Sequence, residues 1–284
     1  MTEAEPPSPV APARAGQATL LRGDVALRYR LDGHGSQPLV LIHGVGSEGQ
    51  AWAGVVERLS DAFRILSFDQ RGHGQSSLVQ GRYEIDDFAG DVLALADHVG
   101  FARFDLAGFS LGGLVAQRIA LSAPQRVLRL VLLSTVAGRT QEERERVAAR
   151  LQALQAGDRG SHYDASLSRW LTESFQQRNP ALIAHLRARN AQNDPACYAA
   201  AYRVLAETDF GDEIAAIRIP TLVATGEDDM GSNPRMAAFM HERIAGSKLA
   251  ILPGLRHSIL MEAPDLVASL LRGFLLAPVA EAAP

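Results

Sequence analysis

Residues 104–124 read FDLAGFSLGGLVAQRIALSAP. The stretch begins as a short apolar run, the pattern of a strand buried on both faces. It ends with apolar residues at helical spacing. Between them stands Gly108-Phe109-Ser110-Leu111-Gly112, a G-x-S-x-G, whose context is the strand–turn–helix that this motif requires. So sharp a turn forces the serine into a strained backbone conformation. Side chains two residues away on either side would collide with neighbouring backbone. The hydroxyl then stands at a helix N-terminus, where the dipole and unpaired N–H groups favour a developing anion. A glycine-containing turn with an incidental serine is the bland alternative, and the flanking strand and helix weigh against it.

Working outward, the chain alternates strand and helix. DVALRYRLDG followed by HGSQ suggests an antiparallel hairpin, and PLVLIHG and FRILSFD read as buried strands. Helical spacing marks WAGVVERLSDAF and IDDFAGDVLALADHVG, and VLRLVLLST is a further strand. From about Gly138 to Asp209 no strand is evident, and helices are expected at 140–156, 162–177, 180–191 and 196–207. Alternation resumes with TLVATG, PRMAAFMHERIA, KLAILPG and DLVASLLRGFLL. The expected fold is α/β: a doubly wound, mostly parallel sheet formed by residues 19–137 and 210–276, with an inserted helical cap at 138–209. Residues 1–18, rich in proline and carrying Glu3 and Glu5, read as a disordered leader rather than an export signal, and 277–284 as a tail.

Serine needs a base to act as a nucleophile. Of eight histidines, His98, His162, His185 and His241 fall in expected helices, His34 in a turn, and His43 and His73 in loops at strand ends. His257, in PGLRHSI, follows a strand and precedes the last helix, where an imidazole can overhang the sheet edge. It also satisfies the chain order Ser, acid, His. The acid that orients it is sought in Glu227-Asp228-Asp229 after TLVATG, with Asp229 first and Asp228 second. A tetrahedral intermediate needs N–H donors; these are expected from Leu111, after the nucleophile, and from Val45 in the loop His43-Gly44-Val45-Gly46.

These features together resemble the α/β-hydrolase fold superfamily. The matching residues are His43-Gly44, Asp69-Gln70-Arg71-Gly72-His73-Gly74-Gln75-Ser76, the serine turn, Gly226 to Asp229, and His257 with Glu262-Ala263-Pro264. Within it the chain is most similar to 3-oxoadipate enol-lactonase-type hydrolases, through Gly46-Ser47, Trp52, and Arg169-Trp170-Leu171-Thr172 with Phe175. The resemblance implies a helical cap whose Arg169 and Trp170 line the pocket, the arginine facing a substrate carboxylate. Arg169 as a surface residue is the competing reading. The implied activity is hydrolysis of a small carboxylic ester or enol-lactone through an acyl-enzyme, without cofactor or metal. The same triad also serves C–C bond hydrolysis and perhydrolysis.

Composition narrows the alternatives. The 284 residues are 47% apolar and 21% charged with a net charge of -4, ordinary for a globular domain and without the basic footprint of a nucleic-acid binder. One cysteine, Cys197, excludes an intrachain disulfide and suits a reducing, cytoplasmic setting. No apolar run reaches membrane-spanning length, so the expected partner is a small molecule. A second motif competes: Gly44-Val45-Gly46-Ser47-Glu48-Gly49 is a G-x-G-x-x-G after a strand, with Asp69 after the next strand, as in a dinucleotide-binding oxidoreductase. That reading leaves the serine turn and His257 unused. A non-catalytic binding module would be expected to lack one of the three catalytic candidates, and all three are present.

Overall fold

The computed structural model describes residues 16–157 and 160–278, with the backbone alone for 160–162. Most of the expected leader and tail lies outside the described residues. Eight strands make one sheet: β1 (Gly16–Arg22), β2 (Val25–Asp32), β3 (Gln37–Ile42), β4 (Phe63–Phe68), β5 (Phe104–Phe109), β6 (Val127–Leu133), β7 (Thr221–Gly226) and β8 (Lys248–Leu252). Their order is β1-β2-β4-β3-β5-β6-β7-β8. The pairs from β4 to β8 are parallel; β1–β2 and β2–β4 are antiparallel.

The apolar runs of β3 and β6 follow from burial on both faces. Val40, Ile42, Leu130 and Leu132 enter one core layer, while Leu39, Leu41, Val131 and Leu133 enter the other. The first layer includes residues of α2 (Ile85–His98), α3 (Leu111–Ser122) and α9 (Pro234–Arg243); the second includes residues of α1 (Ala53–Leu59), α10 (Ile259–Glu262) and α11 (Pro264–Leu275). Between β6 and β7 run α4 (Gln141–Gln155), α5 (Gly160–Trp170), α6 (Glu173–Arg178), α7 (Pro180–Ala191) and α8 (Pro195–Glu207).

Three expectations need correction. β1 begins at Gly16, so residues 16–18, assigned to the leader, belong to a strand. The hairpin joins β1 to β2 around Gly23-Asp24, with Arg22 opposite Val25; HGSQ instead leads into β3, which does not neighbour β2. The helix expected over 162–177 is two helices. Thr172 breaks it by capping α6 through Phe175 N–H, and its own N–H donates to Glu262 at 3.1 Å.

Candidate active site

The C-terminal ends of the parallel strands converge on one cavity of about 150 Å³, lined by Val45, Ser110, Arg169, Trp170, Asp229 and His257 among others. Ser110 follows β5 and caps α3 at φ 55, ψ -117. Its glycine neighbours are sterically obligatory: a Cβ on Gly108 would stand 2.1 Å from Gly112 O, and one on Gly112 would stand 2.3 Å from Ile42 O. The turn is held by Ser110 N–H donating to Leu133 O at 2.9 Å and by Ser110 O accepting from Thr135 Oγ1 at 2.8 Å. Leu111 is the first residue of α3, so its N–H has no carbonyl within the helix to meet.

His257 follows β8, with Nδ1 2.7 Å from Asp229 Oδ2. Asp229, not Asp228, makes this contact. Thr225 Oγ1 donates to the same oxygen at 3.2 Å, and Gly231 and Ser232 N–H donate to Oδ1 at 2.8 and 2.9 Å. Burial opposes ionisation of Asp229, but the His257 ring and these two N–H groups outweigh it and hold the carboxyl below its usual range. With Nδ1–H committed to the carboxylate, Nε2 carries the lone pair. The His257 ring lies between Phe109 and Trp170, at centroid distances of 5.1 and 6.4 Å.

Val45 sits in a turn closed by Ser47 N–H donating to Gly44 O at 3.2 Å, with Gly46 at φ 67. Gly44 abuts the serine: a Cβ there would stand 3.0 Å from Ser110 Cβ. His43 and His73 are buried behind the turn. His43 Nε2 accepts from Gln70 N–H at 3.0 Å, and its Nδ1 lies 2.7 Å from Gly44 O. Burial lowers the pKa of both rings, that of His73 to about 4, so both are neutral supports of the loop. Asp69 does not serve a nucleotide. Its two oxygens accept from Gly49 and Gln75 N–H, each at 2.8 Å, and tie neighbouring loops together. Residues 44–47 of the glycine pattern line this cavity, and Gly49 is tied to Asp69 instead.

Sequence reasoning located Arg169 and Trp170 but missed Arg150 and Arg189, which also line the cavity. Arg150 and Arg189 have no acidic residue three or four places away on their helices, unlike Arg146, which pairs with Glu142. That weak signal is shared by the exposed Arg187, which pairs with Asp164 on another helix. Phe175 packs in a cluster with Tyr163 and Leu167, and Tyr198 is buried against Gly46. No group of three or more His, Cys, Asp or Glu able to hold a metal occurs among the described residues.

The α/β hydrolase fold family model matches residues 37–264. The chain belongs to the α/β-hydrolase fold family. It is 31% identical over 235 residues to 3-oxoadipate enol-lactonase 2 of Acinetobacter baylyi, covering 82% of this chain and 87% of that one. It is also 31% identical over 243 residues to the (E)-2-((N-methylformamido)methylene)succinate hydrolase of the same organism, covering 84% and 90%. The crystal structure of the enol-lactonase from Burkholderia xenovorans matches this hydrolase with a TM-score of 0.86 at 29% identity, covering 92% of this chain and 100% of that one.

Proposed function

We propose that the chain is a cofactor-free serine hydrolase that opens a small carboxylic ester or enol-lactone bearing a free carboxylate. The observation that carries this reading is the Asp229–His257 pair on the same cavity as a strained Ser110. His257 Nε2 takes the Ser110 proton as Oγ attacks the carbonyl carbon. The oxyanion is held by the N–H groups of Val45 and Leu111. Collapse breaks the carbon–oxygen bond, and His257 returns its proton to the leaving oxygen. In a lactone that oxygen stays tethered to the acyl group; from an enol-lactone it is released as a ketone. Water, deprotonated by His257, then attacks the acyl-enzyme and frees Ser110.

The five inserted helices act as a cap that excludes water and selects substrate. Arg169 supports the carboxylate preference. Burial and the nearby Arg150 lower its pKa, and among the described residues neither guanidinium has a carboxylate partner. Two cations sharing a half-buried wall are stabilised when an anion binds between them. Trp170 lines the cavity beside His257, its ring tilted 33° from the imidazole. Named relatives include an enol-lactonase and a succinate-derivative hydrolase, which supports the same substrate class. The buried free thiol of Cys197 fits a reducing, cytoplasmic setting, and no helix among the described residues is long and apolar enough to cross a membrane.

The test is fluorophosphonate labelling read by intact mass, together with turnover of an ester and lactone panel, on wild type and Ser110→Ala. Labelling and hydrolysis that both disappear in the variant support the reading. Turnover that survives in Ser110→Ala refutes it.

A further inference from the structure

Arg189, near the end of α7, has no part in the steps above, yet its side chain reaches the turn that carries Val45. Its guanidinium donates to Gly46 O and lies 3.8 Å from Glu48 Oε2. Asn193 Nδ2 donates to the same carbonyl at 3.3 Å. From α8, the Tyr198 ring is seated on Gly46 so closely that a Cβ there would stand 2.3 Å from Tyr198 Cε2. On its other side the turn meets Ser110 through Gly44. Four residues, 44–47, are thus wedged between the nucleophile and two helices that come from elsewhere in the chain.

We infer that Arg189 is a positioning residue: it fixes the Gly44–Ser47 turn so that Val45 N–H is aimed at the oxyanion, and it does so only while α7 and α8 are seated on the sheet. This rests on the reading of Ser110 and Val45 given above. The physical reason is specific to a two-residue turn with a glycine. Gly46 at φ 67 has wide conformational freedom, and rotation about its bonds re-aims the neighbouring peptide planes. A charged donor on Gly46 O removes that freedom. Because the donor is charged, with Glu48 beside it, it holds the carbonyl more firmly than a neutral group would. Asn193 shares the acceptor and Tyr198 blocks retreat of the turn, so the guanidinium acts within a seat already shaped for it.

The experiment uses p-nitrophenyl acetate, an uncharged substrate for which anion binding by Arg189 is irrelevant. Arg189→Met is expected to lower kcat by ~10²-fold with KM within about threefold, the pattern of an interaction made in the transition state. Arg189→Lys is expected to recover part of the loss. A boronic acid inhibitor, which forms a tetrahedral adduct on serine, should lose affinity in Arg189→Met in step with kcat. Asn193→Ala, which removes only the weaker donor, is expected to lose about threefold to tenfold and serves if Arg189→Met does not fold. An Arg189→Met enzyme with wild-type kcat or undiminished boronate affinity overturns the inference alone. A wild-type enzyme that neither hydrolyses the ester nor binds the boronate overturns the Ser110 reading and this inference with it.

Discussion

The inserted helices meet the sheet along two lines that are built differently. Beside His257 the partners on the inserted side are mostly main-chain atoms: Trp170 O accepts from Ser258 N–H at 2.9 Å, and Ser168 O and Leu171 O accept from the Arg256 guanidinium. These are carbonyls at the end of α5, which need partners whatever the side chains are. Beside Gly46 the partners are side chains, Arg189, Asn193 and Tyr198. The loop bearing His257 is therefore held mostly by backbone that nearly any α5 would offer. The loop bearing Val45 is held by three particular residues. In this hydrolase the second line is therefore the one that a side-chain substitution in the inserted helices alters directly.

The strongest test of that contrast is Asp229→Asn. If the sheet side orients His257, kcat should fall by ~10⁴-fold, as the wrong tautomer is then favoured. A fall below tenfold would mean that the contacts with α5 hold the ring instead, and the two lines would be alike. Gly46→Ala comes next. It places a methyl against Tyr198 and forces a residue with a side chain to φ 67, so ~10²–10³-fold of kcat should be lost with the oxyanion donor misplaced. Unchanged turnover would show that the turn can move freely against α8.

A third attachment sharpens the contrast through pH. Glu143 of α4 accepts from Asn233 Nδ2 at 2.8 Å, from the Arg235 guanidinium at 2.5 Å and from Thr140 N–H at 2.7 Å. Burial alone would raise its pKa; these donors lower it to about 2. A depressed carboxyl stabilises the fold above its unfolded value of 4.5 and loses that contribution as pH falls toward 2. At neutral pH the contribution is fully present, reduced by solvent screening around the partly exposed Arg235. Glu143→Gln should therefore lower Tm at pH 7, and the gap from wild type should narrow steadily below pH 4.5. A pH-independent gap would assign the effect to packing.

Legibility follows the same division. β3 and β5–β7 were readable because burial on both faces demands continuous apolar runs, and the placement of Ser110, Asp229 and His257 after strand ends because the stretches that carry them follow such runs. β1 was not: GQATLLR is a mostly exposed edge strand with little alternation to read. Thr172 was not, because its local cap on Phe175 N–H is joined by a contact with Glu262, ninety residues on. Arg150 and Arg189 were invisible for a related reason. Which face of α4 or α7 turns toward the cavity is decided by packing against the sheet, and arginine is common on any exposed helix.

The smallest expected effects separate charge that recognises from charge that merely surrounds. Arg169→Met or Arg150→Met should lower kcat/KM for a carboxylate-bearing ester by about 10- to 100-fold, the range for losing one hydrogen bond to a charged group, while an uncharged ester is almost unaffected. Arg146 lines the same cavity, yet its guanidinium pairs with Glu142 at 2.9 Å and is half-exposed. Arg146→Met should change either substrate by less than about twofold, since water and salt screen such a pair. Stability should move the other way. Removing Arg169 relieves repulsion from Arg150 in a half-buried wall, so the variant that binds the carboxylate worst should melt slightly higher than wild type, whereas Arg146→Met should not. On the proposed function, a cation kept without a carboxylate partner where it costs stability has its reason in the ligand. Equal losses on charged and neutral esters in Arg169→Met would remove that reason and return Arg169 to packing alone.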